Sequence, residues 1–403
     1  MYKIDIMKKE KEEGEKIMKK KVISLLLVAT MAVSMAACGN TSTDKGSDNG
    51  GNATSAGAEA STDGDFLIGY PTAASYNAVM NAMHLNRQTI AQAAGGDLVT
   101  EIFEFDDATT IDAVEKLITD GCKGIFVTPT SNDVLYNVTD MCDEAGVYFV
   151  ISMRSITDEE VKAYVENSKY YLGCVYEDEY QAGYMLGKAL ADSGAKDYCL
   201  ITTASDNTTG QTREQGLADA AEEFGLTCLD TYRNPADASE AVSAVESWIA
   251  KYGSDMQGIV RLGTQATGDQ SAIAAKLEEY SDKDIKFVTL DTDENCISYV
   301  KDGTITATLG DLLIQDSIAA ATVLTDAVTG KPISDDPVEL ALKYSVITDA
   351  DELQAYYDYM AVDEPIYNKD EVKANLLGLD VAGLEDLCNN MTALSVKELH
   401  ESR

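Results

Sequence analysis

Histidine is almost missing from this chain of 403 residues, which holds only His84 and His400. That leaves little room for a histidine-based catalytic pair or a zinc site. The eight cysteines form no CxxC or HxxE-type cluster, so their spacing offers no metal centre. A nucleophile elbow, a P-loop and a GxGxxG opening are absent as well. Basic residues are scarce: 31 Lys and Arg stand against 69 Asp and Glu, a formal net charge of −38. Such a chain is repelled by phosphate backbones and by anionic lipid surfaces, which argues against nucleic acid as a partner. No basic helix-turn-helix is present, and nothing in the composition asks for a cofactor or a metal. The apolar run from Val22 to Ala37 falls short of the ~20 residues a transmembrane helix needs.

What comes first is an export signal. "KIMKKKVISLLLVATMAVSMAACGN" has a lysine cluster, an apolar middle and small residues before Cys38. "MAAC" resembles the lipobox of bacterial lipoproteins, with Met35 where that pattern prefers leucine. The likeness implies cleavage before Cys38 and lipidation of its thiol; the plainer alternative is an ordinary signal with an incidental cysteine. Residues before Met18 are untypical of a signal, and Met18 is a second candidate start. The exported part from Cys38 onward holds 23 basic and 64 acidic residues, a net of −41. Residues 38–64 are rich in Gly, Ser, Thr, Asn and Asp and read as a flexible tether. Seven cysteines remain besides Cys38, an odd number without the spacing of a disulfide framework.

From Phe66 the chain alternates short apolar strands with amphipathic helices. "DFLIGY", "LVTEIFEF", "GIFVTP" and "VYFVIS" read as strands, separated by helical segments of which several close on glycine. The pattern restarts at "YYLGCV" and runs to "TITATLG" and the helix "DSIAAATVLTDAVTG". Repeated βαβ units imply parallel sheets covered by helices on both faces. The fourth strand stops on Met153 and Arg154 with no turn residue between. Ligands of open α/β sheets bind at the carboxyl ends of the strands, so a cation at that tip is a candidate site residue. After "ALKYSVIT" the alternation ends, and the acidic, partly helical remainder is expected to pack on one domain.

The signal with "MAAC", the tether, "FLIGYPTAASYN", "GIFVTPTSNDV", "YFVISMRS", "GQTREQG", "FVTLDTDE" and "ITATLGD" together resemble the type 1 periplasmic-binding-protein family, nearest to the ribose- and galactose-binding proteins of ABC importers. The likeness spans roughly residues 65–347. It implies an α/β fold of two doubly wound parallel-sheet domains joined by three hinge crossings, with a ligand held in the cleft between them. The expected organisation is a signal at 1–37, the lipidated cysteine and tether at 38–64, an N-terminal domain at 65–172 plus 310–347, a C-terminal domain at 173–309 and an extension at 348–403. Crossings are expected near Gly173, Leu309 and Tyr344. Carried over by position, the ligand contacts fall on Tyr70, Tyr76 and Asn77 after the first strand, Arg154, Arg213 in "TREQG", Asp291 ending "FVTLD" and Asp311 after "ITATLG". Gln265 in "RLGTQATGD" is a weaker match. Where the family often reads Asp-Arg at the fourth strand end, this chain reads Met153-Arg154.

The resemblance implies an extracytoplasmic, lipid-anchored monomer that takes a small polar ligand, most simply a sugar, and hands it to an ABC transporter permease. A planar guanidinium and a carboxylate can each bridge two neighbouring hydroxyls, and aromatic faces cover the apolar side of a sugar ring. Loss of the aspartate beside Arg154 speaks against ribose itself and fits a larger, less polar or partly anionic ligand. Three rivals stand beside this reading. A sensory lipoprotein needs the same cleft to present its ligand to a receptor. An enzyme could use cleft carboxylates for glycoside hydrolysis. Asp291, Asp293 and Asn295 are spaced like the start of a calcium loop, although Cys296 replaces its glycine and Asp302 its glutamate. Arg154 and Arg213 could also serve only in ion pairs, and Tyr76 could simply pack on the first helix.

Overall fold

The computed structural model describes residues 65–74, 77–264, 266–310 and 312–403. The first sheet holds β1 (Leu67–Thr72), β2 (Asp97–Ile102), β3 (Gly124–Val127), β4 (Tyr148–Ser152), β5 (Tyr171–Glu177) and β11 (Val338–Leu342), in the order β11-β5-β4-β3-β1-β2. All its pairings are parallel. The second sheet holds β6 (Asp197–Thr202), β7 (Thr227–Arg233), β8 (Gly258–Arg261), β9 (Lys286–Leu290), β10 (Ile305–Leu309) and β12 (Val346–Ile347), in the order β12-β10-β9-β8-β6-β7. Only β12 runs antiparallel, against β10. Pro71 lacks a ladder donor yet sits in central β1; the pairing with β3 involves only Ile68 and Gly69, so its missing N–H falls beyond that ladder.

The helices of the first lobe are α1 (Ala78–Ala93), α2 (Asp107–Thr119), α3 (Val134–Ala145) and α4 (Glu159–Val165). Those of the second are α5 (Glu179–Asp192), α6 (Thr208–Phe224), α7 (Ala238–Tyr252), α8 (Asp269–Glu278) and α9 (Cys296–Asp302). Helix α10 (Leu313–Val328) returns to the first lobe and packs on α1, β4 and β5. The chain thus passes between lobes three times: from β5 into α5 at Asp178, from β10 into α10, and from β11 into β12 through Tyr344.

The first passage corrects the expectation at Gly173. That residue lies inside β5, paired with Val338 of β11, so the first lobe extends to Glu177. Gly173 has φ 126, and a Cβ there would run into the Val338 backbone. The glycine serves close strand pairing rather than a hinge.

The C-terminal segment is also placed differently from expectation. It forms α11 (Ala350–Ala355), a π-helical turn (Tyr356–Met360), α12 (Lys369–Asn375), α13 (Val381–Asn389) and α14 (Ala393–Glu401). Helix α11 packs on α9 and β12 of the second lobe, while α12 packs on α1 and α13 on α10 of the first. Between them the Tyr357 hydroxyl lies 3.1 Å from Thr292 Oγ1, and Asn81 Nδ2 donates to Asp363 Oδ1 at 2.6 Å. The segment therefore reaches across both lobes rather than resting on one. This explains why α10 is buried along its whole length from Ile314 to Ala327: sheet and α1 cover part of it, α13 another part.

Candidate ligand-binding cleft

A cavity of about 300 Å³ opens between the lobes. Its walls are the carboxyl ends of strands: Phe105 beyond β2, Thr128 and Asn132 beyond β3, Arg154 beyond β4, and from the second lobe Asn207 and Thr209 beyond β6. This is where an open parallel sheet offers free backbone and variable loops to a ligand.

Four strand ends carry residues other than glycine in the left-handed region: Phe105 (φ 57) after β2, Asn234 (φ 51) after β7, Met153 (φ 70) after β4 and Asp291 (φ 61) after β9. Strands β2 and β7, and β4 and β9, hold matching positions in the two lobes. The same sharp exit is built twice. Such backbone costs about 1–3 kcal/mol per residue and persists only where surrounding contacts enforce it.

At Met153 those contacts are visible. Its backbone N–H donates to Asp316 Oδ2 at 2.9 Å, and the Ser152 hydroxyl donates to Asp316 Oδ1. Arg87 Nη2 donates to Ser152 Oγ at 2.7 Å and stands 3.7 Å from Asp316 Oδ1. All three polar side chains are buried. The Arg87 guanidinium lies 4.2 Å from the Tyr70 ring centroid and 4.3 Å from that of Phe126, which contributes cation–π attraction. Burial pushes the Asp316 carboxyl up to about 6, against the pull of Arg87. This network clamps the β4 tip and aims the next residue outward.

That residue, Arg154, is exposed and lines the cavity. Its Nη1 donates to Thr209 Oγ1 of the other lobe over 3.4 Å, and it forms no ion pair among the described residues. Arg213 is differently placed. It is 11% exposed, donates through Nε and Nη2 to both oxygens of Glu179 at 2.5 and 2.9 Å, and through Nη1 to Leu262 O at 3.0 Å. Burial opposes its charge, but Glu179 outweighs it and holds Arg213 above its ordinary range. Backbone contact between α5 and α6 permits this pair. Gly183 and Gly216 each face the other helix so closely that a Cβ would collide with the Arg213 or the Tyr180 carbonyl.

The periplasmic binding protein domain family matches residues 68–332 of the chain. The chain belongs to this family. No curated protein matches it. Among solved structures, an ABC transporter periplasmic solute binding protein from Actinobacillus succinogenes 130z with bound D-allose is 17% identical, with TM-score 0.60, covering 72% of this chain and all (100%) of that one. A periplasmic ribose ABC transporter from Conexibacter woesei DSM 14684 is 16% identical, with TM-score 0.60, over 75% of this chain and 97% of that one. A solute binding protein from Bacillus halodurans C-125 with bound myo-inositol is 15% identical, with TM-score 0.59, over 74% and 99%. At such identities the likeness concerns the fold.

In this periplasmic binding protein the expected contact residues are scattered. Tyr70 is buried against Arg87 and Phe126, in the first lobe's core and away from the cavity lining. Asn77 caps α1, its side chain accepting from Met80 N at 2.8 Å. Asp291 stands at the β9 tip, 48% exposed and 3.8 Å from Arg261 Nη1, outside the cavity lining. Arg261 is itself buried and bonded to Asp269. Tyr76, Asp311, Gln265 and Cys38 lie outside the described residues. In the would-be calcium loop, Asp293 Oδ1 accepts from Asn295 N and Asp302 Oδ1 from Thr304 N, so both carboxylates serve the ends of α9. Among the described residues no group of three or more possible ligands gathers for a metal.

Sequence reasoning passed over several lining residues. Phe105 is 57% exposed beside Phe103, 4.4 Å between ring centroids. A large apolar ring held outward in left-handed backbone was not readable from "FEFDD". The hydroxyl run Thr128, Thr130 and Ser131 of "GIFVTPTSNDV" also lines the cavity, and the last two donate to Asp107. Asn207 doubles as the cap of α6, accepting from Gly210 N at 2.8 Å.

Proposed function

We propose that this chain is an extracytoplasmic solute-binding lipoprotein that captures a sugar or sugar-like polyol between its lobes and delivers it to an ABC importer. The observation that carries this reading is the inter-lobe cavity, whose walls combine hydroxyls, the amides of Asn132 and Asn207, the carboxylates of Glu177, Asp178 and Glu179, the outward ring of Phe105 and the guanidinium of Arg154. A polyol needs that mixture: donors and acceptors at fixed angles for its hydroxyls and an apolar face for its C–H side. The neighbours crystallised with D-allose and with myo-inositol support it by analogy of fold. The family match supports a place outside the cytoplasm, and the "MAAC" signal supports anchoring through Cys38. Binding without turnover is the economical reading, since the matched family is one of binding proteins.

A thermal-shift screen of the purified chain against neutral sugars, sugar acids, inositols and nucleosides tests the proposal. A ligand of the native state raises the melting point by mass action. A concentration-dependent rise with at least one sugar or polyol is expected; nucleosides alone shifting the melt would overturn the sugar assignment.

A further inference from the structure

We infer that the C-terminal segment is a strap, a fourth passage of the chain between the lobes that limits how far the cleft opens. This goes beyond the sugar reading and does not depend on the ligand's identity. The segment begins after the family match ends at residue 332. The other three passages lie along one edge of each sheet, where β11 and β5 end the first and β12 and β10 the second. The fourth leaves α11 on the second lobe and enters α12 on the first.

Both ends of the passage are built into a core. Leu353 of α11 is buried in one cluster with Phe287, Cys296 and Val300 of the second lobe. Met360, Ala361 and Ile366 are buried in the cluster that holds Ile90 of α1 and Ile314 of α10. The Tyr357 ring packs against both clusters. Ile366 N donates to Asn86 Oδ1 of α1 at 3.0 Å, and Ile366 O accepts from Arg403 Nη2. A segment fixed in this way does not pay out slack when the lobes separate.

The passage also stands away from the hinge edge. Asn81 lies in the first turn of α1, which follows β1, and β1 is three strands from β5. At ~4.8 Å per strand that is a lever of about 14 Å. A rotation of about 15° about the hinge edge moves a point at that distance by nearly ~4 Å. Hydrogen bonds do not stretch so far. Opening must therefore break the bond from Asn81 to Asp363 and the contact of Tyr357 with Thr292, or lift Ile366 off α1. These contacts exist in the arrangement in which Arg154 of one wall reaches Thr209 of the other. The strap thus favours that arrangement. A ligand gripped by both walls has an apparent dissociation constant divided by the fraction of molecules already so arranged, and the strap raises that fraction.

The test is small-angle scattering of the full chain without ligand, in three forms. The first is wild type. The second is the double variant Asn81→Ala with Tyr357→Phe, which lacks the two cross-lobe contacts and keeps the buried side chains. The third carries a protease recognition sequence inserted between the exposed Asp363 and Glu364, measured before and after cutting. Cutting severs the passage without removing any core residue. The double variant should show a larger radius of gyration than wild type, and the cut chain a larger one than its uncut form, while each melts as one cooperative unit. Unchanged radii in cooperatively melting samples would overturn the inference and leave the three hinge crossings as the only restraint. Should the cut chain lose cooperative melting, the double variant decides by the same criterion. The outcome leaves sugar capture untouched, since no ligand is present.

Discussion

The backbone amide of Met153 is tied to the buried carboxylate of Asp316, 163 positions later in the chain, at 2.9 Å. This bond joins the tip of β4 to the first turns of α10, the helix by which the chain returns to the first lobe. The left-handed turn that presents Arg154 therefore depends on the interior of that lobe and on a helix that follows an inter-lobe crossing.

The same carboxylate gives a pH dependence with a definite sign. Burial raises Asp316 from 3.8 to about 6 in the folded protein. Between about pH 4 and 6 the folded state binds more protons than the unfolded one, so this group makes stability fall as pH rises through that window. Above 6 its effect is constant. Depressed carboxylates such as Glu214 and Glu371 act oppositely at lower pH, so a difference measurement is needed. Urea unfolding of wild type and Asp316→Asn should show the wild-type advantage shrinking from pH 4 to pH 6. An advantage that grows over that interval would mean Arg87 outweighs burial. At pH 7 the variant, with Arg87 left unpaired, should still be less stable, by about 3–5 kcal/mol.

Arg154 and Arg213 look equivalent in sequence and should separate in experiment. Arg154→Ala removes an exposed side chain and should leave the ligand-free melting point nearly unchanged. Its affinity loss should be tenfold to a hundredfold, from a charged hydrogen bond worth about 1.5–3 kcal/mol. Arg213→Ala leaves Glu179, 14% exposed, without its partner. It should destabilise the ligand-free protein by about 3 kcal/mol or more. Scanning calorimetry without ligand decides it: equal melting points for the two variants would remove the distinction.

How much of this was legible in the sequence depends on how local the cause is. The alternation of elements followed from apolar strands and from glycines that end helices, such as Gly146 and Gly225 in left-handed C-caps. The strand tip at Arg154 was readable because no turn residue follows Ser152. Tyr70 was misplaced because β1 is buried on nearly all its residues, and a strand covered on both faces carries no phase to say which side chain reaches the tip. Arg213 was read as ligand-facing because its partner Glu179 sits 34 positions earlier on another helix. The first crossing was set too early because β5 is completed by β11, a strand more than 160 residues later.

The contact between α5 and α6 offers a direct test of how that ion pair is built. Gly183→Ala adds one methyl group where the Arg213 carbonyl already stands. Backbone cannot yield as a side-chain end does, so the helices must separate, at about 1–3 kcal/mol or more. The cost of this substitution should exceed that of Gly194→Ala, where the added Cβ meets nothing within 4 Å and only the φ of 92 opposes it. Chemical denaturation of both variants gives the comparison, and a smaller loss for Gly183→Ala would mean the helices part easily.

The segment after Ile347 lies beyond the family match, which ends at residue 332, yet the packing makes it part of the fold. Ile366, Val372, Leu376 and Leu384 are fully buried and share one cluster with residues of α1 and α10. Each such side chain contributes about 1.5–3 kcal/mol by leaving water. Polar groups depend on the segment too: Asp326 of α10 accepts from Gly378 N at 2.8 Å, and Gln315 donates to Met391 O at 3.3 Å. Ending the chain at Ile347 would uncover α10 and leave those groups without partners. The truncated protein should lose cooperative unfolding or precipitate. The point variant Leu384→Ala should cost about 2–5 kcal/mol, whereas Leu394→Ala, at a site 37% exposed, should stay within about 0.5 kcal/mol of wild type. A truncated chain that melts sharply at the full-length temperature would show the segment to be an appendage, and the hydrogen bonds from Tyr357 to Thr292 and from Asn81 to Asp363 would then bridge the lobes without stabilising them.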